Sequence, residues 1–100
     1  MIAVKQNTIR MRLEDVPEDK VFWCCDGKVL KNLNDLALAL KEMTEEIYLS
    51  HVNGNKNDFS NWVQDVIGDV TLSHQLKKGK TSLTAARRIR GRLEWLKARA

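Results

Sequence analysis

No apolar run in this chain approaches the ~20 residues that a helix needs to cross a bilayer, and Met1 to Arg12 lacks the apolar h-region of a secretory signal. There is no internal repeat, no low-complexity stretch and no catalytic signature above background. Nor is there a helix-turn-helix, zinc-finger or RNA-recognition pattern, so specific reading of bases is not expected. These absences point to a soluble, cytoplasmic protein without a membrane partner. At 100 residues, 43% hydrophobic and 30% charged, the composition is that of one domain with a single core and not of a disordered chain.

Cysteine is scarce, and its two copies are adjacent, at Cys24 and Cys25. On an extended strand, neighbours point to opposite faces and do not bridge one another, so both read as small apolar residues in a reducing compartment. With His51 and His74 they make two Cys and two His. The C-x2-4-C gap that aims two sulfurs at one ion is missing, so neither a metal nor another cofactor is expected.

What the chain does have is a partition of charge. From Lys77 to Ala100, nine basic residues face Glu94 alone, a net of +8, and since the whole chain is +4 the first 76 residues carry −4. A dipole of this size marks one surface for a polyanion or for the acidic face of another protein.

The periodicity predicts a mainly α fold. Ile9-Arg10-Met11-Arg12-Leu13 alternates with period two and suggests a short strand. Val21 to Cys25 and Lys28 to Leu30 flank Asp26-Gly27, the signature of a hairpin with a type I′ turn. About five helices follow. Asn32 caps the first, with Leu33, Leu36, Ala37 and Leu40 on one face, and Thr44 caps the second. The third starts at Asn57 or Asp58 and places Phe59, Trp62, Val63, Val66 and Ile67 at i, i+3, i+4, i+7 and i+8. Gly68 ends it, Asp69 caps a fourth over Val70 to Lys78, and the last begins near Thr81 or Ser82. On this reading residues 1–76 form a small globular domain. Residues 77–100 form a basic helix, and the Lys77-Lys78-Gly79-Lys80 seam lets that helix either pack on the domain or project from it.

Three functional readings arise. The leading one is a non-enzymatic interaction module that attaches to DNA, RNA or a ribonucleoprotein through Arg87, Arg88, Arg90, Arg92, Lys97 and Arg99, with Trp95 as an interface anchor. Arginine in preference to lysine favours bidentate contact with phosphate or carboxylate. The alternative is a protein-protein adaptor or homo-oligomer. It would use the stripe Leu83, Ala86, Ile89, Leu93, Leu96 and Ala100 together with Trp95, and Gly91 would permit a close helix pair. The third is an enzyme in which Asp58 or Asp65 orients His51 as a general base. Its structural counterpart is plainer: Asn57 and Asp58 cap a helix while Phe59 and Trp62 anchor the core.

Asp26-Gly27, Leu33-x2-Leu36-x3-Leu40-x2-Met43, His51-Val52, Asn57-Asp58-Phe59-x2-Trp62-Val63 and Gly68-Asp69-x2-Leu72 stand in the order found in a family of small domains of unknown function, common in archaeal and some bacterial genomes, which residues 20 to 76 resemble. The resemblance implies no activity, and it leaves His51, Asn57, Asp58 and Trp62 as a motif without an assigned role. Ser60 and Ser73 stand where that pattern usually shows alanine, and the basic segment lies outside it.

Overall fold

The computed structural model describes the backbone of residues 6–100 and the side chains of residues 8–100. Along the chain run α1 (Gln6–Leu13), a 3-10 turn (Glu18–Lys20), β1 (Phe22–Trp23), β2 (Val29–Leu30), α2 (Leu33–Glu42) and α3 (Glu45–His51). They are followed by β3 (Val52–Asn53), β4 (Lys56–Asn57), α4 (Asp58–Trp62) continued by a π-helical turn (Val63–Ile67), α5 (Val70–Lys78) and α6 (Ser82–Arg99). The fold is mainly α with two short antiparallel hairpins, β1–β2 and β3–β4.

Helix starts lie where capping side chains put them. Asn32 Oδ1 accepts from Asp35 N–H at 2.7 Å, Thr44 Oγ1 from Ile47 N–H at 3.2 Å and Asn57 Oδ1 from Ser60 N–H at 2.9 Å. Asp69 Oδ1 accepts from Leu72 N–H at 3.1 Å and Thr81 Oγ1 from Thr84 N–H at 3.1 Å. Each satisfies a backbone donor that the first helical turn leaves without a partner.

Three local expectations are corrected. Ile9 to Leu13 is helix and not strand. The alternation needs Met11 inside, yet Met11 is 68% exposed, whereas Ile9 and Leu13, four apart and on one helical face, turn inward. The β1–β2 connection is a three-residue loop and not a two-residue type I′ turn. Cys24 accepts from Gly27 N–H at 2.9 Å and donates its own N–H to Lys28 at 2.9 Å, and Gly27 takes a left-handed φ of 91° as the bulge residue. The third helix is α only to Trp62. A π turn advances fewer degrees per residue, so Val66 and Ile67 lag behind the buried Phe59, Trp62 and Val63 and end half-buried.

The core is one cluster to which every helix except the short 3-10 turn contributes. Phe22 stacks on Phe59 with centroids 5.1 Å apart, Phe59 on Tyr48 at 5.9 Å, and Trp62 meets Phe22 edge-on at 5.9 Å. Trp62 also donates its indole N–H to Lys20 C=O at 2.8 Å, which ties the segment before β1 to α4. Trp23, one residue beyond Phe22, faces outward and is 71% exposed.

The last helix packs on the domain. Ala85, Ala86, Ile89, Leu93 and Leu96 are buried, chiefly against α2 and α1. The stripe is therefore rotated from the expected one: Ser82 and Ala85 belong to it, while Leu83, 54% exposed, and Ala100 do not. Gly91 serves no close approach, since a Cβ there would meet nothing within 4 Å.

Ser60 and Ser73 meet each other. Both are fully buried, their hydroxyls lie 2.7 Å apart, Ser60 Oγ donates to Ser73 C=O at 2.9 Å and Ser73 Oγ to Ser60 C=O at 3.0 Å. The pair joins α4 to α5. Ser60→Ala or Ser73→Ala alone should lower stability by about 1 kcal/mol, since each removes one buried hydroxyl-to-carbonyl bond, and the double replacement should depart from the sum of the two because the hydroxyls are in contact. Urea denaturation of the three variants measures this.

Candidate functional site

The structure sorts the basic residues of α6 into two groups. Successive steps of four and three along the helix place Leu83, Arg87, Arg90, Glu94 and Lys97 on one outward ridge, and all are exposed. Lys77 and Lys78 at the end of α5, and Lys80 in the seam, are exposed as well. The other group faces α5. Arg92 makes a bidentate pair with Asp69, Nε to Oδ2 at 2.7 Å and Nη2 to Oδ1 at 3.0 Å, and the Asp69 carboxylate is buried. Arg88 is half-buried.

Trp95 is half-buried and not the exposed anchor expected. The guanidinium carbons of Arg92 and Arg99 lie over its ring at 4.3 and 3.9 Å from the centroid, and Arg99 also donates to Trp95 C=O at 3.1 Å. Both guanidinium groups compete with a base for the ring. Arg92 and Trp95 thus leave the expected binding set on geometric grounds, and Arg87, Arg90, Lys97 and Arg99 keep solvent-facing charge.

Beside the seam, the β3–β4 hairpin, α4 and the end of α5 enclose an open recess of about 350 Å³ lined by Asn53, Asn55, Asn57, Asn61, Lys56 and Lys77. Amide and ammonium donors of this kind suit an anion. The β3–β4 hairpin itself is unpredicted. Asn53-Gly54 marks a turn in the sequence, but strands of two residues each carry no periodicity by which to recognise them.

His51 and Asp58 are brought together, as the third reading requires. The Nδ1 of His51 lies 3.0 Å from Asp58 Oδ2, which Lys56 Nζ also reaches at 3.0 Å, and Nε2 accepts from the Cys25 N–H at 3.1 Å. An Nε2 that accepts has its proton on Nδ1, so the ring donates to Asp58 and its tautomer is fixed. Partial burial raises the Asp58 carboxyl, but the bonds from His51 and Lys56 outweigh it and hold the group below the usual carboxylate range. Phe22 and Phe59 flank the imidazole at 5.2 and 5.1 Å. Asp65 is exposed on the π turn and makes no bond to His51. Asn57 and Trp62 serve the fold, one as a cap that also donates to Leu76 C=O at 3.4 Å, the other as a core ring.

The sulfurs correct a further expectation. Cys24 and Cys25 lie in the β1–β2 turn and not on a flat strand, so their side chains do not diverge. Both Sγ atoms and a ring nitrogen of His51 lie within 4.8 Å of one another. Sequence spacing misses this because the third donor comes from 26 residues away. Cys24 is buried, which pushes its thiol up from the ordinary value, and Cys25 is exposed. His74 is exposed on α5 and takes no part.

Fold and surface together define a small, mainly α domain with a basic outer ridge. No described helix is long and apolar enough to cross a membrane. A scan against protein-family models, a search of curated proteins and a search of solved structures each return no match.

Proposed function

We propose that the protein is a non-enzymatic interaction module that attaches to nucleic acid, free or in a nucleoprotein assembly, through the basic surface formed by the end of α5 and the outer ridge of α6. The observation that carries this reading is the exposure of Lys77, Lys78, Lys80, Arg87, Arg90, Lys97 and Arg99 on two consecutive elements that present only Glu94 in opposition. Polyanion binding rests on such a footprint, because each phosphate neutralised releases counterions. The recess beside Lys77 offers amide donors at one end of that surface.

Contacts of this type position a protein on a backbone and carry no sequence information. The module accordingly binds by charge and shape, in the cytoplasm. The adaptor alternative loses its apolar surface, since Ile89, Leu93 and Leu96 are turned into the core. The enzyme reading has an oriented imidazole but one whose two nitrogens are both engaged within the fold.

Fluorescence anisotropy with labelled single- and double-stranded oligonucleotides tests the reading. The logarithm of the association constant should fall linearly with the logarithm of salt concentration. In the Arg87→Gln/Arg90→Gln variant the slope should shrink by ~1 to 2 units, about one per lost phosphate contact, with the denaturation midpoint unchanged. Binding that ignores salt, or a variant slope equal to that of the wild type, would remove the proposal.

A further inference from the structure

The β1–β2 turn and the end of α3 bring together a donor set with no part in polyanion binding. Two thiols and one imidazole are what zinc takes, and they are a poor set for magnesium or calcium, which require oxygen. We propose that the Cys24 Sγ, the Cys25 Sγ and the His51 Nε2 form a site for one Zn2+ ion, with a fourth position open to water.

Geometry supports this at two distances from the ion. In a tetrahedral site with Zn–S near 2.3 Å and Zn–N near 2.0 Å, neighbouring donors stand roughly 3.5 to 3.8 Å apart. The donors here lie within 4.8 Å of one another, so a contraction on the order of 1 Å assembles the site. Cys25 is exposed in a three-residue loop that ends in a left-handed glycine, and a loop of that kind absorbs such a shift without moving the strands.

One layer out, a ligating histidine donates its other ring N–H to a carboxylate, which orients the ring and raises its basicity. His51 already does so: Nδ1 meets Asp58 Oδ2 at 3.0 Å, and Lys56 holds the same oxygen at 3.0 Å. Nε2 is thereby the nitrogen left for the ion, and it points at the Cys25 backbone N–H, 3.1 Å away. The cation replaces that N–H, which turns to solvent with its exposed residue. Packing against Phe22 and Phe59 keeps the imidazole in place while it does.

The full chain, reduced and metal-free, is titrated with Co2+ and then with Zn2+. One Co2+ per chain should bind with the strong visible bands of a tetrahedral site and a near-ultraviolet sulfur-to-cobalt charge-transfer band, and Zn2+ should displace it. Zn2+ should raise the melting temperature of the wild type, as any ligand of the folded state does, and Mg2+ should not. Cys25→Ser, an exposed position, should melt as the wild type without metal but lose much of the charge-transfer intensity. Asp58→Asn should keep the band and weaken Zn2+ binding about 10- to 100-fold. A pale octahedral Co2+ spectrum without a sulfur band, or Zn2+ affinity unaltered by Cys25→Ser, would overturn the assignment.

Discussion

A chain ended at Lys80 is expected to lose cooperative unfolding altogether. Ile89, Leu93 and Leu96 are buried to within a few per cent. Burial of an aliphatic side chain contributes about 1.5 to 3 kcal/mol, so these three account for about 5 to 9 kcal/mol. A domain of this size is stable by about 5 to 15 kcal/mol in all. Removing α6 also uncovers the surface of α2 on which it packs. A helix that served only as an attachment device would give the opposite result, a domain that survives truncation, because the core residues expected from the sequence lie between Phe22 and Leu76. Circular dichroism and urea denaturation of the truncated chain decide between them: a broad, sloping profile is expected, and a sharp transition close to that of the full chain would show that α6 is peripheral.

The second large effect is expected at Arg92. Its guanidinium is the partner of an Asp69 carboxylate that is 1% exposed and also caps α5. Replacing Arg92 by alanine strands a buried charge, and the cost of breaking such a pair is about 3 to 5 kcal/mol. Arg92→Lys should recover only part of it, since an ammonium cannot reproduce the two parallel bonds at 2.7 and 3.0 Å. The double variant Arg92→Leu/Asp69→Asn should be markedly more stable than the sum of its single changes predicts, because asparagine keeps the cap acceptor and neither charge is left alone. A denaturation midpoint that hardly moved in Arg92→Ala would make that arginine a free surface group.

Whatever lies within a few residues in the chain can be read from the sequence. Asn32, Thr44, Asn57, Asp69 and Thr81 each bond a backbone N–H three positions on, so residue type and spacing locate three helix starts outright and the two at Asn57 and Thr81 to within one residue. Ile9 to Leu13 fails for a different reason: five residues satisfy both period two and an i, i+4 pair, and only the core decides which face is inside. The placement of the basic and sulfur-bearing side chains is harder still. Arg92 resembles its neighbours until α5 brings Asp69, 23 residues away, against it. In the Cys24, Cys25 and His51 cluster the histidine lies 26 residues beyond Cys25, and no spacing rule for a continuous chelate finds it. Arg87 and Arg90 were recognisable as basic, but their exposure depends on which way α6 is rotated, and that is set by α2.

Helix α6 divides its arginines: Arg92 holds the fold, and Arg87 and Arg90 are exposed and are proposed to meet a polyanion. Oligonucleotide affinity at low salt, measured for Arg92→Gln and for Arg87→Gln/Arg90→Gln at a temperature where both are folded, tests this most directly. Arg92→Gln should retain most of the wild-type affinity despite its lower stability, whereas the ridge variant, as stable as the wild type, should bind more weakly by a margin that shrinks as salt is raised. A ridge variant that binds like the wild type while Arg92→Gln loses affinity would contradict it.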